Sequence, residues 1–169
     1  MKTALRLLVT LLLCTVLTSA LVSTSIAEDT ASEVPCVQDI PYVDDGDEDH
    51  LLDVYPVGIN EASAPVIIEV HGGGFIGGTK ETNKAHSQVY AQAGFSVVTP
   101  NYTHLPEGDF RTVIQDVFQV LHWVEENADE YGFDLDHVFL SGDRAGAAIV
   151  ALTAANLTDE TMRDYYTVT

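Results

Sequence analysis

The chain has 169 residues, 26 of them Asp or Glu and 7 Lys or Arg, for a formal charge of -19. That length accommodates one domain with a core of its own, and a surface of that sign repels nucleic-acid phosphates and anionic lipid headgroups, which sets polyanion binding aside. Hydrophobic residues make up 46% of the chain with the acids scattered among them, which excludes a disordered acidic tail.

Residues 1–27 read as a secretory signal. Lys2 and Arg6 precede a nearly unbroken apolar run from Leu7 to Leu17, and Ser25-Ile26-Ala27 offers a small-x-small cleavage site. About 20 apolar residues would span a bilayer, so a membrane anchor is the alternative. Thr10, Thr15, Thr18 and Ser19 interrupt the run and favour cleavage, and Leu13 before Cys14 argues against a lipoprotein-type anchor. On this reading the protein is secreted or extracytoplasmic and meets the membrane only transiently, through its signal. It then retains 5 bases (7 less Lys2 and Arg6) against 26 acids, and Cys36 alone, which excludes an internal disulfide.

Residues 28–37 form a polar leader and 38–169 the domain. Ile40–Val43 and Leu51–Tyr55 flank Asp44-Asp45-Gly46-Asp47-Glu48-Asp49, which predicts an antiparallel hairpin. Its acidic loop has carboxylates suited to calcium but lacks an EF-hand ligand pattern, so a solvated turn is the simpler reading. Pro65–Val70 predicts a buried strand ending at His71, residues 82–93 a helix stopped by Gly94, and Phe95–Thr99 a further strand closed by Pro100. Phe110, Val113, Ile114, Val117, Leu121 and Val124 share one helical face, while Gln115, Asp116, Gln119, Glu125 and Glu126 cover the rest, and Gly132 is the stop. A short buried strand, His137–Leu140, leads into a glycine-rich turn and an alanine-rich helix over about 145–156. Strands alternating with helices predict an α/β fold, with a mostly parallel sheet behind the N-terminal hairpin.

Four landmarks stand in order: Leu52-Asp53-Val54-Tyr55, His71-Gly72-Gly73-Gly74-Phe75, Pro100-Asn101-Tyr102 with Pro106-Glu107, and Ser141-Gly142-Asp143-Arg144-Ala145-Gly146. Together they resemble the front portion of an α/β-hydrolase, in the branch of hormone-sensitive-lipase-like and feruloyl-esterase-like carboxylesterases. The resemblance implies a nucleophile elbow at 142–146, normally Gly-x-Ser-x-Gly. It implies an oxyanion hole from the N–H groups of Gly73, Gly74 and Ala145, aimed at the charge that develops on a carbonyl under attack. Gly72 extends the loop, His71 stabilises it, Asp143 belongs to the elbow, and Gly142 and Gly146 permit close strand–helix packing. No role follows for Lys80 and Glu81, for which solvation at the surface is the default.

The departures bear on activity. Arg144 occupies the nucleophile position, and a guanidinium has no hydroxyl and stays protonated. Ser141 lies at the strand end, turned from the apex. All six histidines (His50, His71, His86, His104, His122, His137) precede the elbow, whereas the family order is nucleophile, acid, histidine. Asp159 and Asp164 follow too closely for the acid. The resemblance also expects arginine at Thr103. With 25 residues after Arg144 (145–169), the fold is expected to be truncated after the elbow helix, with strand 137–141 an uncovered edge and a β-prone tail at Tyr165–Thr169. The expectation is an inactive relative of carboxylic-ester hydrolases, recorded incompletely or degenerate. The alternatives are a non-catalytic binder that holds a carboxylate or other small anion on the oxyanion loop and Arg144, or a remnant that does not persist folded. The expected partner is a small-molecule ester or carboxylate, with no cofactor and no metal.

Overall fold

A computed structural model describes residues 32–58 and 62–166. The signal and anchor readings of residues 1–27 lie outside the described residues, as do residues 28–31 of the leader and 167–169 of the tail. The domain occupies Glu33–Thr169.

Five strands form one sheet in the order β1-β2-β4-β3-β5. β1 (Val37–Pro41) and β2 (Leu51–Tyr55) are the expected hairpin, paired antiparallel with a bulge between Val37 and Ile40. β1 thus begins at Val37, inside the expected leader, and the backbone of Val34 is already bonded to the Gln88 side chain. β2 runs antiparallel to β4 (Ser96–Pro100), and β4 and β5 (Phe133–Gly142) both run parallel to β3 (Ala64–Val70). The sheet is therefore mixed, and its parallel part is the trio β4-β3-β5. Residues of β3 are apolar on both faces because helices cover both sides, as parallel strands require.

The hairpin loop is a short 3-10 turn, Glu48–His50, held by its own carboxylates. Asp45 accepts from the N–H of Asp47, and its other oxygen lies 2.6 Å from His50 Nδ1.

α1 (Lys84–Gln92) joins β3 to β4 after a 3-10 turn at Lys80–Asn83. α2 (Phe110–Glu126) begins at Asp109, whose carboxylate caps the N–H groups of Arg111 and Thr112. Its buried face is Val113, Ile114, Val117, Val120, Trp123 and Val124. Phe110, expected on that face, is 43% exposed. Asp116, expected among the solvent-facing positions, is buried, because its carboxylate accepts the N–H of Thr103 at 2.8 Å. The helix ends at Asn127, and a separate turn, α3 (Ala128–Tyr131), runs to Gly132.

β5 is longer than the expected strand and is not buried throughout. Leu135 and Phe139 are 46% and 48% exposed, since only β3 lies beside β5 among the described residues. α4 (Ala145–Thr158) packs back on β3 and β5, with Ile149 fully buried in the main core; a side chain of that size contributes about 2 kcal/mol by leaving water. The chain then forms α5 (Glu160–Tyr166), which takes in Tyr165 and Tyr166 of the expected β-prone tail. Asp159 explains the difference: its carboxylate caps Thr161 and Met162, and Arg163 reaches back to the carbonyls of Asn156 and Leu157.

Candidate functional site

Two turns meet at the carboxyl ends of β3 and β5. The first, after β3, is His71–Gly78. Gly73 has φ +134°, and a Cβ there would lie 1.6 Å from the carbonyl oxygen of Gly77, so the loop folds back on itself as only glycine allows. A Cβ on Gly74 would meet nothing within 4 Å, so that residue borders open space. Among the described residues, the N–H groups of Gly73, Gly74 and Ala145 donate to no carbonyl of the turns and loops. Ala145 opens α4, where helix geometry leaves the N–H without an internal partner.

Behind the loop, His71 is fully buried and stacked on Tyr102, with ring centroids 4.4 Å apart. Its Nδ1 lies 2.6 Å from the carbonyl of Gly72. A carbonyl only accepts, so Nδ1 carries the proton. Burial pushes the His71 pKa down, against the Gly72 contact that raises it. Tyr102, pushed up to about 12 by burial, keeps its proton and donates to the His71 carbonyl at 3.1 Å.

The second turn is the elbow. β5 ends at Gly142, and Arg144 has φ 49° and ψ −110°, a strained conformation for a residue with a side chain. A Cβ on Gly146 would come within 2.1 Å of the Val70 carbonyl oxygen, so the elbow sits directly on the end of β3. Asp143 joins the two turns: its Oδ1 accepts the N–H of Gly72 at 2.8 Å. Arg144 caps the turn with its guanidinium outward. The side chain is 84% exposed, and Nε lies 3.9 Å from Asp143 Oδ2.

Gly72, Gly73, Gly74, Asp143, Arg144, Ala145 and Gly146 are thus brought to one place, with Gly142 under the elbow and His71 beneath the loop. Ser141 stays in β5, opposite Glu69. The histidines engage other groups: His50 meets Asp45, His86 meets Glu69, His104 approaches Asp49 and His137 meets Asp134. In a second gathering, Ser87 donates to Glu69 at 2.9 Å and His86 lies 3.5 Å from the same carboxylate. The acid stands between hydroxyl and imidazole, so the histidine cannot take the hydroxyl proton. A nucleophile needs the reverse order.

Lys80 is not solvated but 2% exposed, with Nζ 2.8 Å from Asp39, 2.8 Å from Asp53 and 2.7 Å from Glu81. Burial opposes its charge, but hydrogen bonds to the three carboxylates outweigh burial and raise its pKa. The Lys80 contact in turn lowers Glu81 to about 2. The Lys80 N–H donates to the Asn101 side chain at 2.7 Å, and Leu105 N–H to the Phe75 carbonyl at 2.8 Å, so the glycine loop is bound to residues 101–105 at both ends. At Thr103, where the resemblance expects a guanidinium, Asp116 is faced by His50 Nε2 at 3.6 Å. Burial raises the Asp116 pKa, against the hydrogen bonds from Thr103.

Comparison with known proteins gives one lineage. The BD-FAE family model matches residues 52–168. Esterase LipQ of Mycobacterium tuberculosis is 34% identical over 128 residues, 74% of this chain and 30% of that protein. Esterase LipI of the same organism is 34% identical over 101 residues, 59% of this chain and 32% of that protein. The chain therefore spans well under two thirds of the length of both relatives. Among solved structures, esterase B of Lactobacillus rhamnosis, inhibited by a tributyrin phosphonate, superposes with a TM-score of 0.77 at 32% identity, over 82% of this chain and 45% of that one. The chain therefore belongs to the BD-FAE family, in the esterase branch of the α/β-hydrolases.

Proposed function

We propose that this is a secreted relative of carboxylic-ester hydrolases whose site holds a carbonyl or carboxylate oxygen without residue 144 attacking it. The observation that carries the reading is Arg144 itself, at the strained apex with φ 49° and ψ −110°. The N–H groups of Gly73, Gly74 and Ala145 are the donors for the bound oxygen. In serine hydrolases one such donor is worth about 3 to 4 kcal/mol in the transition state, whereas losing the nucleophile costs on the order of a millionfold in turnover. A carbonyl polarised by the loop therefore meets no attacking oxygen from the elbow.

The test is turnover of p-nitrophenyl butyrate, with intact-mass analysis after exposure to a phosphonate ester. The expected result is no burst and no covalent adduct on this chain. A burst, or an adduct on Ser141 or any other hydroxyl, overturns the reading.

A second reading has its own support: the Arg144 guanidinium is exposed, and its carboxylate neighbour, Asp143, stands at 3.9 Å. A guanidinium in that state is free to form a bidentate pair with a carboxylate ligand. Under this reading the protein is an anion binder, and Arg144→Ala abolishes butyrate binding measured by calorimetry.

A further inference from the structure

β5 has one bonded side and one open side. Among the described residues only β3 pairs with it, so the backbone groups along its other side meet no strand. Val138–Gly142 is the regular stretch, in register with Val66–Val70, and the register breaks over Leu135–His137. Successive side chains of a strand point to opposite faces. Val138 and Leu140 pack on the main core; Phe139, between them, is 48% exposed and edge-on to Phe95, with ring centroids 6.1 Å apart. Each face carries an apolar hollow of 350 Å³ beside the strand, one among Phe118, Leu121, Leu135 and Leu157, the other among Pro65, Phe95 and Phe139.

Such an edge accepts an extended chain with apolar side chains on both faces, and β5 is itself a chain of that kind. Its charges set the direction. Asp136 stands exposed four residues before Leu140, and Arg144, 84% exposed, four residues after it. Antiparallel pairing about Leu140 brings the acidic start of one strand to the cationic end of the other, at both ends at once. Parallel pairing would set like charge beside like, which is unfavourable. We propose that the open edge of β5 binds the same edge of a second copy of this chain, antiparallel about Leu140, with Asp136 of each copy meeting Arg144 of the other. The carboxylate taken by the exposed guanidinium is then a protein side chain. The contact stands whether or not the glycine loop holds an oxygen.

The other charges along the strand are engaged within the chain. The Asp134 carboxylate accepts the Asp136 N–H at 3.1 Å and lies 2.8 Å from His137 Nδ1. Asp143 is committed to the Gly72 N–H, and its second oxygen is 3.9 Å from Arg144 Nε, too far for a hydrogen bond. The break in register over Leu135–His137 confines the pairing to Val138–Gly142. A two-fold contact of this kind uses the open edge of both copies, so the assembly closes as a dimer. The formal charge of -19 on each copy opposes association, which places a contact of this small area in the weak class.

Sedimentation equilibrium of the purified protein tests this. Up to about 100 µM, where contacts of small area associate, the expected species are monomer and dimer and nothing larger. Phe139→Lys, at a position already half exposed, is expected to give monomer alone with an unchanged far-UV spectrum. Arg144→Glu and Asp136→Lys each put like charges at both ends of the pair and are expected to weaken the dimer about tenfold. An equal mixture of those two variants pairs unlike charges at both ends again and is expected to regain the wild-type dimer. A monomer throughout the range, or growth beyond the dimer, overturns the proposal. A mixture no stronger than either variant alone overturns it too, whatever Phe139→Lys does. The two charge variants alter exposed side chains, so the mixture decides the matter even if Phe139→Lys fails to fold.

Discussion

The loop after β3 and the elbow after β5 meet at one place and differ in what holds them. The loop is held by its backbone: Gly74 borders open space, and buried His71 bonds the Gly72 carbonyl. The elbow keeps its shape alone. Gly146 still seats on Val70, Asp143 still takes the Gly72 N–H, and Arg144 still adopts the strained apex, but no hydroxyl stands there. The difference is physical. The loop's chemistry is made of backbone, which cannot be substituted without changing the fold. At the apex of the elbow stands one side chain that is 84% exposed. Fold stability therefore constrains the backbone of the loop and leaves the side chain at 144 unconstrained.

Separating the two turns is the strongest way to break this comparison. Gly146→Val places a branched side chain where even a Cβ would meet the Val70 oxygen at 2.1 Å and the His71 oxygen at 2.7 Å. The elbow must lift from β3, and the Asp143–Gly72 bond goes with it. A loss of at least about 4 kcal/mol is expected, among the largest that single changes produce, and urea unfolding measures it. An unchanged midpoint would mean that the elbow is not seated on the strand.

The next largest effect lies under the loop's far end. Lys80→Met removes the cation from Asp53, which is 2% exposed and cannot turn to water, whereas Asp39 and Glu81 can. Stranding a buried carboxylate costs about 3 to 5 kcal/mol. Adding Asp53→Leu should recover more than half of that loss, because the pair is worth little against an apolar substitute. If the double variant is no better than the single, the loss comes from the Lys80 contacts with Asp39 and Glu81 and not from a stranded Asp53.

Lys80 also shows where sequence reasoning stops. The elbow and the glycine loop were legible because they are contiguous motifs, each a turn defined by its own glycines. The main helix was legible because Val113, Ile114, Val117 and Val124 repeat with helical period. Asp53, Lys80 and Asp116 were not, because their meaning lies in pairings between distant segments. Asp53 meets Lys80 only when β2 lies beside β4, and Asp116 turns inward only because Thr103 offers it an N–H. A lysine after a glycine turn and an aspartate between apolar helix positions look solvated until those strands are assembled. One clue was available for Asp116. The arginine expected at Thr103 is absent, and a position that loses a cation points to a carboxylate that once faced it. The short strand at 137–140 misled because β5 extends along the whole of β3, and Tyr165 and Tyr166, the described part of the expected β-prone tail, end a helix that Asp159 caps.

The smallest expected effect has the opposite sign from the others and bears on the elbow alone. Arg144 is held at φ 49° and ψ −110°, outside the left-handed well that other residues tolerate. Such strain is worth about 1 to 3 kcal/mol. Glycine adopts the conformation freely but loses about 0.5 to 1 kcal/mol more backbone entropy on folding. The net expectation for Arg144→Gly is a gain of about 1 kcal/mol, seen as a melting temperature higher by a few degrees, with butyrate binding lost under the second reading above. A stability gain together with lost binding would show that the apex is strained for a ligand's sake. A loss of stability would show that the guanidinium supports the fold, and the elbow would then be a structural feature as much as the loop is.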